Sequence, residues 1–204
     1  DLSQERLLLA YANGIFPWFS DGEPILWWSP DPRLVLFPEE LHVSKSLRRM
    51  LRKNDFRITL DRAFRRVITA CARMRVEKHE PTWIVDDMID AYCRLHTSGF
   101  AHSVEVWFKG ILAGGLYGVA LGRCFFGESM FARVSNASKL GLVKLVEHLK
   151  TGSFQLIDCQ VTTRHMMRMG AREISRNRFL ALLHAALEWP TIRGHWRLSQ
   201  AEDV

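Results

Sequence analysis

The run from Ser103 to Met130 constrains the fold more than any other part of the sequence. Ser103-Val104-Glu105-Val106-Trp107-Phe108 alternates, Lys109-Gly110 turns, and Ile111 to Leu121 supplies a second extended segment. Gly122 then turns the chain into Cys124-Phe125-Phe126-Gly127-Glu128-Ser129-Met130. Extended segments joined by tight turns predict three sequential antiparallel strands. Such a meander must bury its apolar side, so the remaining segments have to supply the cover.

They have the required patterns. Ser3 to Asn13 has a helical apolar period and stops at Gly14, a residue suited to the left-handed position after a helix. Prolines 17, 24, 30 and 32 exclude a long helix from Ile15 to Arg33, which predicts turns and short strands packed as an aromatic ledge. Leu34–Phe37 and Phe56–Leu60 read as strands. Ser44 can cap a helix to about Lys53, with Leu47, Met50 and Leu51 on its apolar side, and Asp61 can cap another through Met74. The polar stretch Arg75–Pro81 reads as a loop, and Asp86 to Ser98 as a helix closed by Gly99. After the meander come a helix from Ala137 to Lys150, a strand from Phe154 to Cys159, a short helix reaching Met169, and a last helix over Arg176–Glu188. The expected class is α/β (α+β): a small N-terminal α/β domain over residues 1–80, carrying the basic helix 44–53, and a larger domain over 81–204. The larger domain is expected to have a mixed, mostly antiparallel sheet with flanking helices. Its order of meander, helix, strand and helix resembles the core of the acyl-CoA N-acetyltransferase superfamily.

Composition narrows the function classes. Nearly half of the 204 residues are hydrophobic, enough for a core without disulfides or a structural metal. Cys71, Cys93, Cys124 and Cys159 are scattered, with no CxxC pair and no zinc-ligand spacing, and read as buried thiols in a reducing compartment. No apolar run approaches the ~20 residues of a bilayer span and no signal peptide opens the chain, so a soluble cytoplasmic protein is expected. The first residue is Asp1 rather than Met, and further residues are expected upstream. The net charge of +6 is locally concentrated. Lys45, Arg48, Arg49 and Arg52 share a helix face opposite the apolar positions, with Lys53 beside them. That face is either an ordinary solvated surface or a contact for backbone phosphates. No zinc finger, RNP signature or GXXG loop accompanies it.

Carboxylates in apolar strands mark a candidate site. Glu128 stands among hydrophobic neighbours, and Asp158 and Gln160, two apart in Leu156-Ile157-Asp158-Cys159-Gln160, are expected on one strand face. A buried carboxylate is costly unless paired, so these residues are structural anchors or parts of a site. Acyl transfer would suit them, because an amine must be oriented towards an activated carbonyl. Covalent catalysis has less support: GxSxG is absent, and Cys159, which could pair with His165, lies within an apolar strand where a cysteine is more often core. His96 and His102 have no recognised ligand spacing. Gly114, Gly115 and Gly118 form no phosphate loop but permit a bulge or a close backbone approach. The Q/RxxGxG/A pyrophosphate loop is also missing, which argues against an acetyl-CoA donor. Leu142, Leu145 and Leu149 recur at helical spacing as core residues, or as part of an apolar pocket with Leu116, Phe125, Met130 and Ile157.

Several longer motifs together resemble the bacterial leucyl/phenylalanyl-tRNA–protein transferases: Gly14-Ile15-Phe16-Pro17-Trp18-Phe19, Trp27-Trp28-Ser29-Pro30-Asp31-Pro32-Arg33, Phe126-Gly127-Glu128-Ser129-Met130-Phe131, Asn136-Ala137-Ser138-Lys139 and Leu156-Ile157-Asp158-Cys159-Gln160. The resemblance covers Asp1 to about Leu198. It implies a monomeric cytoplasmic enzyme without a cofactor. Such an enzyme moves leucine or phenylalanine, and methionine less well, from aminoacyl-tRNA to proteins beginning with Arg or Lys, marking them for N-end rule proteolysis. It implies a catalytic centre of Glu128, Asp158 and Gln160, with Gln160 accepting a proton from the incoming amine and Asp158 supporting it. Trp18 and Trp83 should receive the 3′-terminal adenosine and its aminoacyl group, and Leu116, Phe125, Met130, Leu142, Leu145, Leu149 and Ile157 should wall the side-chain pocket. The basic helix would hold the tRNA. Family members can have Met at the position of Leu116 and Phe at those of Leu145 and Leu149, and often have Gly where Pro81 stands, after a shorter loop. Other amide-forming acyltransferases and a tRNA-binding protein without activity are the alternatives.

Overall fold

The computed structural model describes residues 1–53, 55–77 and 82–198. In chain order the elements are α1 (Gln4–Ala12), β1 (Phe16–Pro17), β2 (Trp27–Trp28), β3 (Arg33–Leu36), a 3-10 turn (Pro38–Glu40), α2 (Lys45–Arg52), β4 (Phe56–Leu60), α3 (Phe64–Glu77) and α4 (Asp86–Thr97). There follow β5 (Ala101–Phe108), β6 (Ile111–Leu121), β7 (Cys124–Ala132), α5 (Ala137–Thr151), β8 (Leu156–Gln160), α6 (Arg164–Arg168), β9 (Arg172–Ile174) and α7 (Arg176–Leu187).

The meander β5-β6-β7 forms as its alternation predicts, inside a seven-stranded sheet of order β4-β5-β6-β7-β8-β3-β9. Every neighbouring pair is antiparallel except β7 and β8. A parallel neighbour cannot be reached through a tight turn, and α5 supplies the crossover. The fold is therefore a mixed, mostly antiparallel sheet flanked by helices. The expected boundary near residue 80 coincides with no break in this sheet, since β3 and β4 precede it and β5 to β9 follow. β1 and β2 pair separately as a ribbon, giving the proline-rich segment its short strands.

The sheet separates two cores. Helices α1, α3, α4 and α7 bring Leu7, Tyr11, Ile68, Tyr92 and Phe179 to one side, whereas α5 lays Leu140, Leu145 and Leu149 with Val104, Leu116 and Ile157 on the other. Each fully buried side chain of this kind contributes about 1.5–3 kcal/mol.

Local signals explain most element ends. Gly14 has φ +68°, its N–H reaches Tyr11 O and the Ile15 N–H reaches Ala10 O, the paired bonds of a helix stopped by a left-handed residue. Ser44 Oγ accepts from the Leu47 N–H at 3.2 Å, as expected of a cap. Asp61 does not cap α3. Its carboxylate is taken by the Ser103 N–H, His102 Nδ1 and the Trp196 N–H. Glu105 instead accepts from the Arg62 and Ala63 N–H groups before α3 begins at Phe64. A tertiary carboxylate thus replaces the local one. At its other end α3 runs through Arg75 to Glu77, so the predicted loop begins later than expected, and positions 78–81, including Glu80 and Pro81, lie outside the described residues.

Candidate active site

The parallel ladder between β7 and β8 ends at the pair Phe126–Asp158. Past that point Gly127 to Met130 on one strand and Cys159 to Val161 on the other line a cavity of about 260 Å³. A register slip places Tyr117 opposite Ser129 and Gly118 opposite Gly127, which leaves Glu128 as the extra residue of a bulge. Bulges re-aim side chains, and this one carries Glu128 to the cavity. Gly118 permits the close approach: a Cβ there would lie 2.2 Å from Phe126 O.

Glu128 is buried, and its hydrogen-bond donors among the described residues are neutral. Tyr11 donates to Oε1 at 2.7 Å, Gln160 Nε2 donates to the same oxygen at 2.8 Å, and Tyr92 donates to Oε2 at 3.2 Å. The Tyr11 and Tyr92 hydroxyls also touch each other. Burial pushes the Glu128 carboxyl up to about 7, with the neighbouring Asp158 charge adding to the rise and the three donors opposing it. Burial likewise raises Tyr11 and Tyr92, so both phenols stay protonated as donors. Tyr117 also lines the cavity, and its buried hydroxyl has no partner among the described residues.

Asp158 lies one layer behind. Arg33 Nε meets its Oδ1 at 2.8 Å and Arg33 Nη2 meets Oδ2 at 2.6 Å, with both side chains buried. Phe16 and Phe179 face the guanidinium at 4.9 and 4.5 Å. Asp158 Oδ1 also accepts the Gln160 N–H at 2.8 Å. Gln160 has φ +63°, which ends the strand's alternation. The side chain lines the cavity with Ile157 and Cys159, whereas Asp158 does not. Asp158 therefore fixes the backbone that presents Gln160.

The other site residues divide clearly. Leu116, Phe125, Met130, Leu142, Leu145 and Ile157 line the cavity, but Leu149 is fully buried in the adjoining core. Trp18 and Trp83 sit at the cavity with ring centroids 4.2 Å apart, and the Arg75 guanidinium lies 3.9 Å over Trp83. Cys159 and His165 also line it; burial raises the thiol well beyond the neutral range and lowers the histidine, an arrangement unsuited to a thiolate nucleophile. Lys45, Arg48, Arg49, Arg52 and Lys53 are all exposed on or just after α2, and none lines the cavity.

Sequence reasoning missed Arg33, Tyr11, Tyr92 and Arg75. Arg33 carried a usable signal: it leads the apolar strand Leu34-Val35-Leu36 as Asp158 interrupts another, and opposite charges in apolar strands are best satisfied by each other. One ligand atom each of Asp61, His96 and His195 lies within 4.8 Å of the others and could approach a cation. Both Asp61 oxygens are already engaged, and Trp196 stacks on His102 at 3.6 Å, so the cluster serves to dock the C-terminal segment.

A family model described as leucyl/phenylalanyl-tRNA protein transferase matches residues 35–184, and one for the N-terminal domain of that protein matches residues 1–31. The leucyl/phenylalanyl-tRNA–protein transferase of Syntrophobacter fumaroxidans is 66% identical over 183 residues, covering 90% of this chain and 78% of the relative. That of Desulfatibacillum aliphaticivorans is 59% identical over 198 residues, covering 97% and 85%. Among solved structures, a GCN5-related N-acetyltransferase from Kribbella flavida is similar at 10% identity with a TM-score of 0.45, covering 84% of this chain and 60% of that one. The fold class rests on the sheet order described above, not on this last likeness.

Proposed function

Because the chain belongs to the leucyl/phenylalanyl-tRNA protein transferase family, we propose that the cavity between β7 and β8 is where it transfers leucine or phenylalanine from aminoacyl-tRNA to the N-terminal residue of a protein. The amine nitrogen forms a bond to the carbonyl carbon of the aminoacyl ester. The ester bond to the ribose of the terminal adenosine breaks, and the departing oxygen takes a proton. The ester is already activated, so placing the two groups together supplies much of the rate; well-oriented reactants can gain roughly 7–11 kcal/mol.

The carrying observation is the Gln160–Glu128 contact at an apolar cavity. With its Nε2 engaged by Glu128, the Gln160 amide offers its carbonyl oxygen to the incoming amine. Glu128, about half ionised near neutrality, balances the positive charge that develops on that nitrogen. Asp158 and Arg33 are positioning residues that act through the Gln160 backbone. The apolar wall accepts leucine, phenylalanine and, less well, methionine, since hydrophobic discrimination is worth only about 1–3 kcal/mol per methylene. Trp18 and Trp83 receive the terminal adenosine, and the exposed face of α2 holds tRNA phosphates. Protein substrates begin with Arg or Lys, and the product is marked for N-end rule degradation. The enzyme acts as a cytoplasmic monomer; no helix among the described residues is long and apolar enough to cross a membrane.

The test offers radiolabelled leucyl-tRNA with proteins beginning Arg, Lys, Asp or Ala, to wild type and to Gln160→Ala. Label confined to the Arg and Lys proteins, and reduced at least tenfold in the variant, is expected. Label on none of them would overturn the reading, and equal label on all four would remove its acceptor specificity.

A further inference from the structure

We propose that an arginine-lined groove on α3 binds the sugar-phosphate backbone of the aminoacyl-tRNA, as a surface additional to the face of α2. The choice of ligand rests on the transferase reading. The groove, of about 370 Å³, is lined by Arg65, Arg66, Thr69 and Arg73 of α3, by Arg133 just after β7, and by Leu112 on its floor. The helical positions 66, 69 and 73 follow three- and four-residue spacings and therefore form one face.

The charge on this face is not internally neutralised. No carboxylate lines the groove among the described residues. Arg65 pairs with Asp90, but among the described residues Arg66 and Arg133 meet aromatic rings and no carboxylate, Trp107 at 5.1 Å and Phe131 at 5.9 Å. Arg73 has no ion-pair partner among the described residues. Stacking on rings holds guanidinium groups in place while leaving their N–H edges to donate. Arg66, Arg73 and Arg133 stand around one polar groove without an ion-pair partner among the described residues, and a phosphate chain relieves their mutual repulsion.

Position selects RNA over an acidic protein segment. Arg75, two residues beyond Arg73 on the same helix, lines the aminoacyl cavity beside Trp83. At about 1.5 Å per residue, positions 73 and 75 are about 3 Å apart along the axis but on different faces of α3, so the groove and the cavity lie on two sides of one helix turn. The chain that leaves the groove at Arg133 meets α2 three residues on, where Asn136 places Nδ2 3.6 Å from Met50 Sδ. An RNA whose 3′ end occupies the cavity can thus contact both basic surfaces.

The test measures tRNA affinity from 50 to 200 mM salt for wild type, Arg66→Ala/Arg73→Ala and Arg66→Lys/Arg73→Lys. Losing two phosphate contacts lowers the salt slope by about 1.4–1.8, so the fourfold salt increase weakens wild type about 7- to 12-fold more than the alanine variant. The lysine variant keeps the wild-type slope. The same slope in all three overturns the proposal, as does a slope lowered equally by both variants. Transfer from a short aminoacyl-adenosine donor is measured in parallel. Loss of that reaction in wild type overturns the transferase reading alone, because the salt slope still decides whether the groove binds RNA.

Discussion

Asp158 and Glu128 lie on neighbouring strands of one sheet, and the protein compensates the two buried carboxylates differently. Asp158 is locked by a bidentate arginine and a backbone N–H, away from the cavity. Among the described residues Glu128 receives neutral donors, two phenols and an amide, and it lines the cavity. A full counter-charge fixes geometry, whereas neutral donors in a buried site leave a carboxyl pushed up to about 7, able to change its charge near neutrality. One carboxylate is held by a counter-charge in the frame, and the other lines the cavity, where the proposed reaction would use it.

Breaking the locked carboxylate should have the largest effect. Asp158→Ala leaves Arg33 buried without its partner, and equilibrium denaturation should show a loss of about 3–5 kcal/mol. Replacing both members, Arg33→Met with Asp158→Leu, removes the stranded charge and should recover most of that stability. Transfer should stay low in the double variant because Gln160 has lost its backbone anchor. Recovered activity would refute the positioning role.

The titrating carboxylate gives a smaller, pH-dependent effect. Its folded pKa is raised above the unfolded value, so the folded state holds the proton more tightly. This contribution is fully present below the unfolded value of about 4.3 and is lost as pH rises through about 7. Wild-type stability should carry a decrease on the order of 3 kcal/mol across that window that Glu128→Gln lacks. Parallel stability curves for the two proteins would contradict the assignment. Tyr92→Phe removes the longest of the three bonds to Glu128 and should cost only about 1 kcal/mol. Because that bond favours the ionised form, its loss should move the stability transition to higher pH.

The same contrast explains what could be read from sequence. The meander, the capping Ser44, the Gly14 stop and the apolar wall depend on neighbours in the chain, and alternation or helical spacing records them. Glu128 stood out because a carboxylate interrupts an apolar strand. Its partners Tyr11 and Tyr92 come from separate helices, and ordinary core packing would explain both equally well. The bulge that aims Glu128 left no mark beyond the nearby glycines. Strand β9, Arg172–Ile174, is three residues long and largely polar, with its place fixed by pairing to β3 rather than by its own pattern. Asp61 failed as a predicted cap because distant groups captured its carboxylate.

The most direct measurement is the single-turnover rate of leucyl transfer to an Arg-initiated protein, followed from pH 5.5 to 8.5 with saturating substrates, in wild type and Glu128→Gln. The expected result is an inflection near 7 in wild type that is absent from the variant, alongside any inflection of the acceptor amine shared by both. An inflection near 7 that persists unchanged in Glu128→Gln, at the wild-type rate, would contradict it.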